Sequence, residues 1–342
     1  MARDARRLDI MSAFVAKKHV KSPPQRAFAR TSLFEHDTWR VLSREYRRSV
    51  PRWHFAMLND EGRNRAFAEA ISQAGVKDGL VLDIGSGSGL LAMMAARAGA
   101  RRVVSCEAVE PIARVAREII AHNGLADRIT VVNALSTSPL VAAALDRPAT
   151  HLVTEIVDCG LLGEGLLPTL RHAREHLLAS DATFVPCAAR IFYQLVESSA
   201  IYRNNFVSTA ADLDVGLFNM FSTRDHFPVR LETWPHRLLS PPRLARAFDL
   251  TVDPLLPTIN EDQVEIASGG TAHGVILWFE LDLGRGITMS NAASGEGTHW
   301  MQAAYLFDRP IAVRGGDTLQ LRIVHDDFSI TFSPTSEERS HE

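Results

Sequence analysis

The sequence predicts an α/β domain built on a parallel sheet over residues 53–186, followed by an antiparallel β domain over 187–334. Three observations predict this. Between residues 79 and 178 short apolar runs alternate with segments of helical period, the pattern of βαβ units whose sheet is covered on both faces. Beyond Pro186 that pattern gives way to β-branched and aromatic runs separated by Gly, Pro and Asp turns, as in a barrel or sandwich. The 342 residues are 46% hydrophobic and 23% charged, ordinary globular values, and amount to two domains at roughly 150 residues each.

The elements follow in order. Residues 1–52 are polar and basic, broken by Ser22-Pro23-Pro24, and read as an N-terminal arm or lid of short helices. Residues 61–74 carry a helical stripe through Phe67, Ala70 and Ile71. Strands are expected at 79–84, 102–107, 129–133 and 151–155. Helices are expected at 90–98, 110–123 and 168–178, with Asn123-Gly124 as a stop signal. In the second domain the clearest strands are IFYQLV (191–196), GVILWFEL (274–281), MQAAYLF (301–307) and DTLQLRIVH (317–325). Residues 200–240 fit neither pattern and are expected to form a helical excursion. The tail from Ser333, and 335–342 above all, is expected to be disordered.

Composition narrows the function classes. The net charge of −3 gives no reason to expect a nucleic-acid partner. Lysine occurs only at 17, 18, 21 and 77, so 33 of the 37 basic residues are arginine, a coding bias more than a functional signal. Residues 1–30 carry only eight Lys/Arg, too few to argue for a nucleic-acid surface. An organelle transit peptide is the rarer reading of that stretch, and a solvated arm the preferred one. No window is long and apolar enough for a membrane helix, and the N-terminus lacks a secretory core. Three widely spaced cysteines (106, 159, 187) fit a reducing cytoplasm better than a disulfide framework.

The first predicted strand ends in Asp83-Ile84-Gly85-Ser86-Gly87-Ser88-Gly89 and a helix follows at once. Glycines at 85, 87 and 89 allow a tight turn and close approach of backbone to a ligand. Dinucleotide folds set a pyrophosphate on such a helix N-terminus. Asp83, two residues before the first glycine, is a poor place for phosphate charge and suits an ammonium. Glu107 ends the next strand, where an acid can take both hydroxyls of a ribose. S-adenosylmethionine has an ammonium, a ribose and no phosphate, and is favoured over NAD. A glycine-rich turn with no ligand is the bland alternative, disfavoured because three glycines and two well-placed acids coincide.

The strand at 151–155 ends at Glu155, and a glycine-bearing loop leads to Glu164, nine residues on. If the loop doubles back, both carboxylates face one point at the C-terminal end of a sheet strand, where α/β proteins bind ligands. Two bare carboxylates that close would repel until one protonated. A guanidinium between them removes the conflict, being planar, permanently charged and forked to match carboxylates. The alternative leaves Glu155 a surface or cap residue and Glu164 a solvated helix flank.

At these residues the sequence resembles the protein arginine methyltransferase family, from about Met57 to Phe332. VLDIGSGSGLL matches its S-adenosylmethionine loop, EIVDCGLLGE its double-glutamate loop, Gly297-Thr298-His299-Trp300 its Thr-His-Trp loop, and Met57-Leu58-Asn59-Asp60 with Arg63 its N-terminal helix motif. The closest flavour is the monomethylating, type III branch, whose mammalian member carries two modules where this chain has one. The resemblance implies a Rossmann-like class I S-adenosylmethionine-dependent methyltransferase domain, then a β-barrel with a helical dimerisation arm at 200–240, assembled as a head-to-tail homodimer. It implies that Arg63 binds the donor's carboxylate with His54 nearby, and that Met57 packs beside the reacting methyl. It further implies that Leu135 and Ser136 flank the adenine, where the family's acidic contact is missing. Glu155 and Glu164 would clamp the acceptor, His299 would pair with Asp60, and Trp300 would wall the acceptor pocket. Arg44, Glu45, Tyr46 and Arg48 stand where the family has its aromatic motif with paired tyrosines.

The expected function is methylation of an arginine guanidino nitrogen, with free L-arginine or a guanidino metabolite slightly favoured over a protein or peptide. A catalytically silent S-adenosylmethionine-binding regulator is a further alternative, against which the intact Glu155, Glu164 and His299 argue. Transfer to another nitrogen or oxygen would leave the glutamate pair without purpose. His172 and His176, four apart, could hold zinc, but lack a third ligand in sequence and read as solvated or core residues. Cys159 reads as a small loop residue, not a nucleophile, and Trp234 and Trp278 as core or interface.

Overall fold

The structure, a computed structural model, describes residues 50–293 and 298–335. Nearly all of the expected arm at 1–52, the 336–342 part of the expected tail, the Arg44–Arg48 region and Gly297 lie outside the described residues.

Two helices open the described chain, α1 (Trp53–Leu58) and α2 (Glu61–Gln73). Asp60 is the N-cap of α2, its carboxylate accepting the Arg63 N–H, and Phe67, Ala70 and Ile71 form the buried stripe. Strands and helices then alternate: β1 (Leu80–Ile84), α3 (Leu90–Arg97), β2 (Arg102–Cys106), α4 (Glu110–His122), β3 (Ile129–Val132), α5 (Pro139–Ala144), β4 (Ala149–Thr154), α6 (Leu166–His176) and β5 (Leu178–Val185). The five strands pair in parallel in the order β3-β2-β1-β4-β5. All five residues of β1 are buried, as a central strand covered on both faces requires. The order reverses between β1 and β4, so the carboxyl ends of these strands form the crevice in which open α/β sheets bind ligands.

The second half is antiparallel. β6 (Ala188–Glu197), β13 (Gly270–Gly284) and β15 (Gln302–Val313) are the long central strands of a seven-stranded sheet. Its other members are β9 (Phe227–Val229), β10 (Arg237–Leu238), β11 (Arg243–Asp249) and β14 (Ile287–Ser290). A three-stranded sheet of β12 (Thr258–Glu265), β16 (Thr318–His325) and β17 (Ile330–Pro334) packs against it. Tyr193 and Phe332 meet across the two sheets, ring centroids 5.0 Å apart. One buried apolar cluster runs from Phe67 and Leu82 through Leu161 and Leu166 to Phe279 and Phe332, so the two halves share a core.

The segment expected to be a helical excursion is helical only in single turns. It holds a four-residue helix α7 (Ser199–Tyr202), a small hairpin of β7 (Thr209–Ala210) and β8 (Leu213–Asp214), and 3₁₀ turns at Gly216–Phe221 and Leu231–Thr233. Its base rests on a second apolar cluster of Val196, Ile201, Phe206, Val229 and Leu231. Further out, Leu213, Leu217, Phe218, Met220 and Phe221 are all at least two-thirds exposed. A segment that spends its apolar residues outward lacks the one-sided stripe that sustains a longer helix.

Candidate active site

The glycine loop leaves β1 at the crevice. Gly85 has φ +83°, and a Cβ there would stand 2.5 Å from Ile156 Cγ2, so position 85 requires glycine on both counts. The Gly87 face of the loop looks toward Met57, whose Cε lies 3.9 Å from where a Cβ at 87 would be. Met57 is buried there. Glu107 accepts the Gly87 N–H on Oε2 at 3.1 Å and the Val109 N–H on Oε1 at 2.8 Å, which ties the end of β2 to the loop. Asn133 donates to the Glu107 carbonyl at 2.9 Å, bringing the loop after β3, with exposed Leu135 and buried Ser136, to the same side.

Asp83 is fully buried. Ser105 donates to its Oδ2 at 2.5 Å, and the Ser86 hydroxyl lies 2.6 Å from that of Ser105. Burial lifts the Asp83 carboxyl to about 6, the Ser105 bond opposing, Glu107 adding to the rise and Arg63 reducing it. Its Oδ1 has no hydrogen-bond partner, and neither has the buried Nε of Arg63. An unsatisfied acceptor and an unsatisfied cationic donor, each within electrostatic reach of the other, match the ammonium and carboxylate of an α-amino acid. With Glu107 poised for a diol, the residues present fit S-adenosylmethionine. Ser86 and Ser105 belong to this site and were not singled out from sequence, although Ser86 lies within the glycine motif itself.

Glu155 follows β4 directly. Its carboxylate accepts from the Arg63 guanidinium, and both side chains are buried, at 5% and 2% exposure. Burial pulls the Arg63 guanidinium down to about 10 while Asp60 and Asp83 hold it up, so it stays charged near neutral pH. Arg63 also lies over the Phe67 ring at 5.0 Å. The expectation for Arg63 concerned the donor's carboxylate; here its terminal nitrogen is on Glu155, and only Nε remains open. His54 is engaged locally, stacked on Trp53 and 3.0 Å from the Pro51 carbonyl through Nδ1.

The barrel closes the site through Thr298-His299-Trp300. The backbone N–H of His299 and its Nδ1 both bond Asp60 Oδ2, at 2.9 and 3.0 Å. With Nδ1 carrying the proton, Nε2 faces Glu155 Oε1 at 3.8 Å. Burial lowers the His299 pKa more than Asp60 raises it, so the ring is neutral. Burial pushes Asp60 upward, but the N–H groups of Arg63 and His299 and the His299 ring outweigh it and keep the carboxylate low. Trp300 donates to the Val157 carbonyl at 3.3 Å, and Asn291 to the Cys159 carbonyl at 3.1 Å. Both barrel residues therefore hold the loop between the two glutamates.

Glu164 is an exposed residue whose carboxyl is nonetheless partly desolvated by the protein around it. That desolvation, with the negative charges of Asp158 and Glu107, raises its pKa to about 7. Sensitivity to Glu107 means that the carboxyl lies within electrostatic reach of the donor cleft. The structure thus links His299, Asp60, Arg63 and Glu155 in one open chain of hydrogen bonds, with Glu164 within electrostatic reach of Glu107.

Comparison with known proteins identifies the family. Residues 188–337 match a family model described as the arginine methyltransferase oligomerization subdomain, and 67–162 match one described as ribosomal protein L11 methyltransferase (PrmA). An arginine N(omega)-methyltransferase of Streptomyces achromogenes subsp. streptozoticus is 48% identical over 84% of this chain and 80% of that protein. The chain belongs to the protein arginine methyltransferase family. Members of this family are S-adenosylmethionine-dependent N-methyltransferases of arginine. The protein arginine N-methyltransferase 7 of Oryza sativa subsp. indica is 34% identical over 81% of this chain, which spans only 44% of that relative's length. Among solved structures, the Trypanosoma brucei PRMT1 enzyme-prozyme heterotetrameric complex with AdoHcy shares the fold. Its TM-score is 0.72 at 23% identity, over 86% of this chain and 96% of that one.

Proposed function

We propose that this chain transfers a methyl group from S-adenosylmethionine to a guanidino nitrogen of free L-arginine or a related guanidino metabolite. The observation that carries the reading is the Arg63 guanidinium lying on Glu155, which supports a buried carboxylate at the end of β4 suited to a guanidinium partner. The free-acid acceptor is supported by the relative named arginine N(omega)-methyltransferase, which this chain covers over most of its length. A peptide arginine is the second reading, supported by the relatives named protein arginine N-methyltransferase 7.

S-adenosylmethionine, when bound, supplies an electrophilic methyl on its sulfonium. Asp83, Glu107 and Arg63 would hold it, with Met57 against the glycine loop. Glu155 and Glu164 orient the acceptor guanidinium. Their charge draws the cation toward the nitrogens they bond and leaves lone-pair density on the nitrogen facing the donor, so the contribution is positional and electrostatic. A Glu164 carboxyl near 7 is suited to receive the N–H proton, and the neutral His299, held by Asp60, offers Nε2 as a second acceptor.

A homodimer is part of the proposal, supported by the match to an oligomerization subdomain and by the outward Leu213, Leu217, Phe218, Met220 and Phe221 of the arm. So is a cytoplasmic location, supported by free Cys106, Cys159 and Cys187. The test is a radiolabelled methyl-transfer assay with L-arginine beside an Arg-Gly peptide, products identified by mass spectrometry. Label in methylarginine supports the proposal. Label only in the peptide moves the assignment to the second reading, and label in neither, with donor binding intact, favours a silent regulator.

A further inference from the structure

A second buried charged cluster grips the acceptor loop, and its key member comes from the arm side. His226 immediately precedes β9 and is 4% exposed. Its Nε2 lies 2.6 Å from Asp158 Oδ2 and its Nδ1 3.0 Å from Asp225 Oδ1. Burial disfavours charge on the ring, but the two carboxylates outweigh burial and keep it protonated up to about 10. The other Asp158 oxygen accepts the N–H groups of Gly160 at 3.2 Å and Gly163 at 3.0 Å. The fit is close on both sides. A Cβ at 160 would stand 2.4 Å from His226 Nε2, and a Cβ at 163 would stand 2.4 Å from Asp158 Oδ2. Residues 158–163 are therefore wrapped around one carboxylate, that carboxylate is fixed by one histidine, and Glu164 is the next residue.

We propose that His226 is a positioning residue for methyl transfer: by fixing Asp158 it sets the turn that aims Glu164 at the acceptor and compensates the negative charge that Glu164 faces. The proposal rests on the arginine-methyltransferase reading of Glu164. The groups facing His226 are Asp158 and Cys159 from the acceptor loop and Asp225 from its own segment. Tyr305 of β15 is within electrostatic reach of Asp225. Burial and the two aspartates push the Cys159 thiol up, so it is neutral. Asp158 and Glu107 are the charges that raise Glu164. Loss of the cation at 226 leaves Asp158 uncompensated and should raise Glu164 further. Loss of the Asp158 charge should lower it.

The experiment uses the full chain and two variants, His226→Gln and Asp158→Asn. It reads hydrogen exchange of peptides spanning 157–164, donor affinity by calorimetry, and the pH profile of methyl transfer to L-arginine. In His226→Gln the loop amides should exchange about tenfold faster, kcat should fall about tenfold or more, and donor affinity should stay within about twofold. The acid limb of kcat/KM should move up by about half a pH unit in His226→Gln and down in Asp158→Asn. A merely structural role would not move it in opposite directions. Unchanged kcat with an unmoved limb overturns the proposal, and if His226→Gln does not fold, an unmoved limb in Asp158→Asn does so alone. Stoichiometric zinc in the purified protein, measured by mass spectrometry, also overturns it, because Asp158, Cys159 and His226 have ligand atoms within 4.8 Å of one another. A wild-type chain inert toward every guanidino acceptor defeats the functional reading, while the exchange data still decide whether His226 anchors the loop.

Discussion

Replacing Glu155 by glutamine keeps the shape of the side chain and removes its charge. The original partner is the buried Arg63, so the substitution acts on folding, donor binding and chemistry at once, and the three can be separated. For folding, removing one member of a buried ion pair costs about 3–5 kcal/mol when the other charge is left alone. Arg63 is not left alone, since Asp60 and Asp83 both stabilise its charge and a glutamine oxygen still accepts from it. A loss of about 1–3 kcal/mol is therefore expected, the range for a weakened buried hydrogen bond. At roughly 2–4 °C per kcal/mol that is a melting temperature lowered by several degrees and a protein still folded at 25 °C. For donor binding, Arg63 is held less tightly by an uncharged residue at 155, so affinity should be unchanged or tighter. For chemistry, removal of one preorganised charge-stabilising group typically costs about 10²–10³ in kcat, or about 2.7–4 kcal/mol. The assay is single-turnover transfer of a labelled methyl with saturating donor and L-arginine, beside calorimetry of donor binding and a thermal melt. A variant that turns over within about threefold of wild type refutes the guanidinium clamp. A variant that loses donor affinity by more than about tenfold refutes the assignment of Glu155 to the acceptor side alone.

Other outcomes follow from the same geometry. Glu107→Ala should weaken S-adenosylmethionine binding by about 10–100-fold, since it deletes the diol acceptor and releases the Gly87 and Val109 N–H groups; calorimetry checks this. Glu164 must be ionised to hold a cation and its pKa is raised to about 7, so kcat/KM should fall as pH drops through about 7. The bound guanidinium favours the carboxylate, so the limb of kcat should lie at lower pH, and coincident limbs would count against Glu164 as the second clamp. Because Arg63 occupies Glu155 in the free protein, a donor whose carboxylate draws Arg63 away should strengthen L-arginine binding about fivefold or more, by a calorimetric titration with and without S-adenosylhomocysteine.

What the sequence disclosed was what local chemistry determines. The parallel sheet was legible because β1, β2 and β4 are short apolar runs, and the donor loop because its glycines and acids lie within one βα unit and the next strand. β5 was missed because LASDATFV has an exposed polar middle and never forms an apolar run. α5 was missed because six residues opening on Pro139 give too little period to recognise. The single-turn character of the arm was missed because its apolar residues face outward, which removes the contrast that periodicity depends on. In the site, Glu155 and Glu164 stood out in sequence as two acids nine residues apart, and the His299–Asp60 contact was expected through a family motif. The bond from Arg63 to Glu155 spans 92 residues, and that from His226 to Asp158 spans 68. Only the topology that brings α2, β4 and the arm to one crevice creates those contacts. The one sequence trace of His226 was glycine at 160 and 163, which is clearance for a ring and a carboxylate.

These contacts share an electrostatic cause. Asp83, Glu107, Glu155, Asp158 and Glu164 crowd the carboxyl edge of one sheet, a concentration of negative charge that a folded protein sustains only with compensation. The compensation is divided. Asp158 has a permanent partner in His226, whose protonation is built into the fold and persists to about 10. Glu155 has a partner in Arg63 whose Nε is still unsatisfied, so Arg63 is the cation with a reason to lean elsewhere when a carboxylate arrives. Asp83 and Glu164 have no cation bonded to them and sit at about 6 and 7, carboxyls held near the point of protonation until positive charge reaches them. The fixed pair shapes the loop; on the proposed function the shared pair would guard the acceptor carboxylate, and the two acids without a bonded cation would receive the cationic groups of donor and acceptor. A site needing only one cation would not leave two acids without a bonded cation. The distribution of charge, more than any single residue, argues for a reaction that brings two cationic partners together.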